Sequence, residues 1–535
     1  MTFKDLKKNL QNLQLNLIKF AIIYSLITLI LHGKPILLFT IANLDYRSLN
    51  GVIIIIELII AQFLIVFLLV GILSFIPKIL KPFCIIFLIC NSIACFFIDQ
   101  YNVILDKTMM SNVFNTNFSE VNQLFNPKIF IYILFLGIAP SFVIYRLKIL
   151  FQPSALKRIM IMAIFILATA ILAFINSKSW LWIDKNAKHL GGLSMPLSYF
   201  INSIRYSVSL VNKGQQIQLP QAHFVNNKNT LVFLVIGESA RKANFSLYGY
   251  PRLTNPLLQN DQVIALQNTT SCTTYTTESI KCMLSHLGSK SPSRKPFEPL
   301  PVYLQRHNIN VLWRSNNWGE PKMQLTNYQK TSEIIAKCHH KNCQKTDHDE
   351  SLLYDIDQEI KNYSNKNALI VLHQNGSHGP NYHSKYPAEF EKFTPVCKSV
   401  ELQKCNKEEL INAYDNTIVY NDFFLHQLIK VLKKNKKISS LVIYISDHGE
   451  SLGEYNFYLH GMPYSIAPDY QKQIPFIIWA SDKFKKEHDF SNHDLATRTK
   501  NSQDNIFHSI MGAFGLRSEI YNQELDIFNK NNLNK

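Results

Sequence analysis

None of the cysteine pairs in the polar part of this chain has C-x-x-C spacing, which argues against a zinc ribbon. Acidic residues are scarce: 38 Asp and Glu face 55 Lys and Arg, for a formal charge of +17. So basic a total suits nucleic acid, an anionic membrane surface or a phosphate-rich substrate. Nucleic acid falls away, because the basic residues form no stripe with interleaved aromatics on one element. No internal repeat is present. No small-residue cleavage site follows the first apolar run, which argues against a removable signal peptide although Lys4, Lys7 and Lys8 precede it.

What is present is unevenly spread. Apolar residues are 47% of the 535, a length that asks for two or more modules, and they concentrate in roughly the first third. Five runs are long enough to cross a bilayer core of about 30 Å: Leu15–Leu31, Val52–Ile76, Phe83–Ile98, Ile129–Tyr145 and Ile159–Ile175. Compact basic groups mark the N-terminus, the second connection (Lys78, Lys81) and the fourth (Arg146, Lys148, Lys157, Arg158). By the positive-inside rule these lie in the cytoplasm, and an odd number of crossings exports everything after Ser177. Cysteine usage asks for the same side. Cys84, Cys90 and Cys95 sit in an apolar run, where a thiol behaves as a small hydrophobe. The remaining six form the close pairs Cys272/Cys282, Cys338/Cys343 and Cys397/Cys405, which suits disulfides in an oxidising compartment. Nearest-neighbour pairing is the expectation among about fifteen connectivities.

The expected organisation is a five-helix α-helical transmembrane domain over 1–177, a linker over 178–229, and a soluble α/β domain over 230–535. Gly191-Gly192, Pro196 and Pro220 interrupt the linker, and Trp180 and Trp182 fit an interfacial aromatic belt at its start. From Thr230 short apolar runs (Leu231–Ile236, Ile309–Trp313, Ala368–Leu372, Leu441–Ile445, Phe476–Trp479) alternate with helix-like stretches such as Ser351–Ile360 and Asn421–Lys433. That alternation predicts a mainly parallel sheet covered on both faces. Such sheets bind ligands beyond the carboxyl ends of their strands.

Metal-binding residue types appear where those strands end. Glu238 follows Leu231–Ile236 after one glycine, and Asp447-His448 follow Leu441–Ile445. His378 lies in Gly-Ser-His-Gly-Pro beyond the strand Ala368–Leu372, and His460 in Tyr-Leu-His-Gly-Met-Pro. Carboxylate oxygen with imidazole nitrogen is a zinc-like donor set. Singly, each has a plainer explanation, since a strand-end acid is often a helix cap and a loop histidine often a satisfied loop residue. Convergence on one sheet edge is what favours a site. A reacting group is available in the hydroxyl-rich turn Ser271–Ser279, which opens a helix predicted to end near Leu287. Hydroxyls there usually cap, but a helix start also stabilises an alkoxide or a phosphate, and zinc makes a threonine a usable nucleophile.

The sequence resembles the membrane-anchored phosphoethanolamine transferases that modify lipid A, within the alkaline phosphatase/sulfatase superfamily. The likeness runs through Gly237-Glu238-Ser239-Ala240-Arg241, Asn244-Phe245-Ser246-Leu247, Gly249-Tyr250, Thr254-Asn255-Pro256, Ser271-Cys272 and Cys282-Met283. It continues through Trp313-Arg314, Asn316-Asn317, Gly376-Ser377-His378-Gly379-Pro380, the run Ser446 to Glu454, and His460-Gly461-Met462-Pro463. The resemblance implies a sulfatase/alkaline phosphatase-like exported domain in a multi-pass inner-membrane protein of a bacterium, with catalysis in the periplasm. It implies that Glu238, Thr276, Asp447 and His448 hold a catalytic Zn2+, with Thr276 as nucleophile, and that His378 and His460 bind the transferred phosphate or a second zinc. Lys322 looks like the family's phosphate-contacting lysine. Asn112, Thr116 and Glu120, spaced by four and so on one face of a helix, resemble the contacts to the donor headgroup, with Glu120 against the ethanolamine ammonium. By the same likeness the donor is phosphatidylethanolamine, the acceptor lipid A or another lipopolysaccharide group, and the outcome a less negative envelope that resists polymyxin-like cationic peptides.

Thr273 stands where the family usually has glycine, Glu278-Ser279-Ile280-Lys281 replaces a stretch that usually ends in proline, and a cysteine found in some relatives after Asn317 is missing. The first two flank the nucleophile and bear on the acceptor. A lipoteichoic-acid-type glycerol phosphate transferase, a transferase acting on another envelope glycan, and a non-enzymatic envelope protein with structural metal are the rival readings. A formylglycine sulfatase is disfavoured because Cys272-Thr273-Thr274 lacks C-x-P-x-R.

Overall fold

The computed structural model describes residues 14–529 apart from 117–125, 176–181, 184–185, 212–215, 227, 292–295, 318, 322, 339–342, 344–347, 497 and 499. The chain divides into two compact units, one formed by Met1–Phe114 with Phe125–Val208, the other by Asn115–Leu124 with Ser209–Lys535.

In the first unit, α1 (Leu17–His32) and α2 (Lys34–Asn43) meet at a 57° bend. They are followed by α3 (Leu49–Leu73), α4 (Pro77–Tyr101), α5 (Lys107–Asn115), α6 (Lys128–Arg146) and α7 (Ala155–Ile175). Four of these helices are long and apolar enough to cross a membrane, or five with the bent pair taken as one span. The break falls at Gly33 before Pro35, where proline is accommodated in a first turn. Lys78 and Lys81, read as a connection, belong to the first turns of α4. The stretch read as a linker carries two helices, α8 (Ala187–Leu193) and α9 (Leu197–Val211). Its glycines and prolines do not break them: Pro196 lies just before α9, and Gly192 packs close to the Ile104 side chain. Tyr199 donates to Asn91 at 2.9 Å and Asn202 to the Leu105 carbonyl at 2.8 Å, which ties α9 into the helical unit.

The second unit is built on seven strands: β1 (Thr230–Gly237), β2 (Ile264–Ala265), β3 (Asn310–Ser315), β4 (Asn327–Lys330), β5 (Ala368–His373), β6 (Ser439–Ser446) and β7 (Phe476–Ala480). Their order across the sheet is β2-β7-β6-β1-β5-β3-β4, and β7 alone runs against the others, pairing antiparallel with both β6 and β2. All eight residues of β1 and of β6 are buried, as continuous apolar runs demand when helices cover both faces. Each fully buried Leu or Ile there contributes about 1.5–3 kcal/mol of transfer free energy. Two elements escaped the apolar pattern: β2 is two residues long, and β4 is polar at the sheet edge. The helix predicted over Ser351–Ile360 is split at Asp355, whose φ of 55° ends one turn before Ile356–Asn362 begins. The long helix α11 (Lys407–Lys434) covers one face and contains the predicted Asn421–Lys433. The helix after the hydroxyl-rich turn, α10 (Thr276–Met283), ends four residues before Leu287.

The bridges are Cys272–Cys282, Cys338–Cys343 and Cys397–Cys405, with Cys84, Cys90 and Cys95 free.

Candidate active site

The register of the sheet assembles the site. Parallel β1 and β6 place Gly237 opposite Ser446, so Glu238 and Asp447 emerge side by side one residue later. The Asp447 amide donates to the Gly237 carbonyl at 2.9 Å and continues the ladder into the turn. The left-handed φ of 54° at Ser239 folds the chain back, so that the Ser239 amide donates to Asp447 Oδ1 at 3.0 Å and its hydroxyl to Glu238 Oε1 at 2.9 Å. Asn317, after β3, donates through Nδ2 to Glu238 Oε2 at 2.7 Å and to the Gln374 carbonyl at 2.8 Å. Gly376, at φ +53°, lets the β5 turn lie on the Glu238 backbone, where a Cβ would stand 2.8 Å from its carbonyl oxygen. Asp349 holds that turn by accepting from the Asn375 and Gly376 amides at 2.8 Å each.

Thr276 begins α10 but caps nothing. Its hydroxyl lies 3.2 Å from Glu238 Oε2, 3.3 Å from Oε1 and 3.2 Å from His448 Nε2. Neighbouring hydroxyls take the structural roles: Thr273 bonds the Tyr275 carbonyl and Ser279, and Thr274 donates to the Met462 carbonyl.

Glu238, Asp447 and His448 are all buried, with ligand atoms within 4.8 Å of one another. His448 Nδ1 lies 2.9 Å from the Gly449 carbonyl, which makes it the protonated nitrogen and leaves the Nε2 lone pair facing the cluster. That lone pair meets Asp447 Oδ2 at 3.1 Å and Glu238 Oε1 at 3.4 Å. Asp447 Oδ2 is buried without a hydrogen-bond partner among the described residues. Acceptors facing acceptors in a dry site call for a cation between them, and two carboxylates with one imidazole suit zinc. Burial, with Asp447 as the second cause, pushes Glu238 up to about 7. Burial likewise raises Asp447 to about 7, and burial beside His460 pulls His448 down to about 4.

A second group adjoins the first. His460 Nδ1 lies 2.8 Å from Glu450 Oε2, and the Tyr382 hydroxyl donates to Glu450 Oε1 at 2.6 Å. The His460 ring is 4.1 Å from that of His448 and 5.3 Å from that of His378. Burial and the neighbouring His460 hold His378 well below the usual imidazole range, so it is neutral at pH 7. Burial lifts Glu450 to about 8. Sequence reasoning passed over Glu450 as a site residue, although it stands in the Asp-His-Gly-Glu run, and it passed over the role of Asn317 toward Glu238, which no spacing announces. Of the remaining residues, Asn112 lies half-buried on α5. The helix stops at Asn115, one residue short of Thr116, so the shared helical face does not extend that far; the run Asn115-Thr116-Asn117 has low helix propensity. Glu120 and Lys322 lie outside the described residues.

Fold and site together define a catalytic domain of the sulfatase type, and the Sulfatase family profile matches residues 230–516. The profile of the phosphoethanolamine transferases EptA/EptB matches residues 58–210. The phosphoethanolamine transferase EptA of Helicobacter pylori is 41% identical over 524 residues, covering 96% of each chain. Among solved structures, the integral membrane lipooligosaccharide phosphoethanolamine transferase A of Neisseria meningitidis superposes with a TM-score of 0.86 at 27% identity, covering 96% of this chain and 97% of that one. The C-terminal periplasmic domain of EptC from Campylobacter jejuni, 38% identical, matches with a TM-score of 0.51 over 59% of this chain and 98% of its own. The chain belongs to the EptA family of phosphoethanolamine transferases.

Proposed function

We propose that the chain transfers phosphoethanolamine from phosphatidylethanolamine to lipid A or a related lipopolysaccharide group, at the periplasmic face of a bacterial inner membrane. The relatives' names support the reaction and the lipooligosaccharide class of acceptor, and the Campylobacter jejuni domain supports the periplasmic side. The observation that carries the reading is the Thr276 hydroxyl, which is free of capping duty and lies 3.2 Å from both Glu238 Oε2 and His448 Nε2. Glu238, Asp447, His448 and Thr276 would hold Zn2+, which supplies the positive charge that acidifies the hydroxyl and offsets charge on phosphoryl oxygens.

Thr276 Oγ1 then forms a bond to phosphorus as the bond to the diacylglycerol oxygen breaks, the threonine proton ends on that departing oxygen, and phosphoethanolamine remains on the threonine. An acceptor oxygen displaces the threonine in the second step. His378 and His460 would bind the phosphoryl group, and Glu450 orients His460 through its contact with Nδ1 at 2.8 Å. Phosphoryl transfer asks mainly for such positioning and electrostatics. The test is intact mass after a brief pulse of phosphatidylethanolamine. Wild type gains one phosphoethanolamine, Thr276→Ala gains none while remaining folded, and Thr276→Ser retains part of the transfer. Near-normal transfer by Thr276→Ala refutes the assignment.

A further inference from the structure

Asn316, Asn317, Gly319 and Glu320 follow β3 past the nucleophile, and Glu320 enters a buried ion cluster that the chemistry above does not use. Its side chain is 7% exposed. Lys330 Nζ donates to Glu320 Oε1 at 2.7 Å, the Tyr328 hydroxyl donates to the same oxygen, and His373 Nδ1 lies 3.1 Å from Oε2. All three partners sit on strands. Tyr328 and Lys330 belong to β4, and His373 ends β5 in register with both Ser315 and Ile236. Lys330 also donates to the Asn317 carbonyl at 2.8 Å.

Two contacts lead from this anchored segment to the reacting centre. The Asn317 carboxamide holds Glu238 Oε2. The Gly319 backbone lies so close to Thr276 that a Cβ at 319 would overlap the threonine methyl. Threonine carries its methyl and its hydroxyl on the same carbon, and χ1 of a β-branched side chain is stiff. A wall against the methyl therefore selects the rotamer that turns the hydroxyl toward Glu238 and His448.

We propose that Glu320, anchored by Lys330, Tyr328 and His373, is a positioning residue that keeps Asn317 on the Glu238 carboxylate and the Gly319 backbone against the Thr276 methyl. The proposal rests on Thr276 as nucleophile. A brace that served the fold alone would cost stability and leave the rate per folded molecule unchanged.

A double-mutant cycle on the full-length, zinc-loaded protein in lipid nanodiscs separates the two. Glu320→Ala and Asn317→Ala should each slow phosphoenzyme formation by about 10–100-fold, the usual consequence of removing an outer-shell partner. KM for the donor should hold within about twofold, the signature of a loss confined to the transition state. Both should weaken zinc affinity, read by competition with a chromophoric chelator. Because Glu320 acts through Asn317, the double variant should be no worse than the worse single one in either measurement. Glu320→Gln, which keeps the shape and still accepts from Lys330, should fall between wild type and Glu320→Ala, and it carries the test should the alanine variant not fold. Losses that multiply in the double variant, or wild-type rate and zinc affinity in folded Glu320→Ala and Glu320→Gln, would overturn the proposal. Full transfer by Thr276→Ala would instead remove the nucleophile assignment, and the zinc-affinity cycle would still report on the link from Glu320 to Glu238.

Discussion

Zinc affinity should fall steeply between pH 8 and pH 6. Glu238 and Asp447 are both held at about 7 by burial, whereas an exposed carboxylate titrates near 4. His448, pulled down to about 4, takes up no proton in this range. Each carboxyl must be ionised to bind metal. One unit above its pKa it is about 91% ionised and one unit below about 9%, a factor of about ten per group and about 100 for the pair by linkage. That is about 2.7 kcal/mol of binding free energy. Titration calorimetry in buffers of different ionisation enthalpy counts the protons released, which should approach two per zinc at pH 6 and fall well below one at pH 8. The metal-free protein should move the opposite way. A carboxyl whose folded pKa is raised contributes stability that is full below its unfolded value near 4 and is lost as pH rises through about 7. Melting of the apo form should therefore rise as pH falls from 8 to 7, above the range in which the unfolded chain's histidines take up protons, while the increment from zinc shrinks. Proton release near zero at pH 6, or an affinity change under about threefold, would show that these carboxylates are not the ligands or are not buried.

Other consequences are direct. Without reductant, thiol counting by mass spectrometry should find only Cys84, Cys90 and Cys95 reactive in unfolded protein; alkylation of any of the other six refutes the pairing. Leu234→Ala, at a fully buried position in the central strand, should cost about 2–5 kcal/mol, visible as a lower denaturant midpoint; a loss below about 1 kcal/mol would mean that the sheet is not packed on both faces. Alkaline phosphatase fused after Lys535 should be active and fused after Lys78 silent, and the reverse pattern would invert the orientation drawn from the basic loops.

The parts of the fold that sequence revealed are those governed by burial. Strands β1, β3, β5, β6 and β7 are apolar runs because helices lie on both faces of the sheet, so their hydrophobicity could be read directly. Elements decided by edge position or by local backbone were hidden: polar β4, two-residue β2 and the break at Asp355 carry no periodic signal. The helices α8 and α9 were masked by glycine and proline, which proved to lie beside helix boundaries or against neighbours. In the site, strand-end position exposed Glu238, Asp447 and His448, since a parallel sheet delivers its polar residues where its strands stop. The role of Asn317, visible only as part of a shared motif, and the whole of Glu320 were illegible because their contacts depend on how the loop after β3 folds, which no residue type encodes.

Glu238 and Asp447 sit side by side on neighbouring strands although 208 residues separate Ser239 from the Asp447 carboxylate that binds its amide. Between them the chain must lay down α10, β3, β5 and α11 before β6 can insert beside β1. A closure over so long a stretch comes late in folding, after more local contacts have formed. A chain still emerging on the far side of the membrane therefore presents isolated carboxylates and histidines but no assembled pocket, and capture of a metal would wait on completion of the sheet. The ion would then act as a seal on a finished domain, withheld from fragments that stop short of His448.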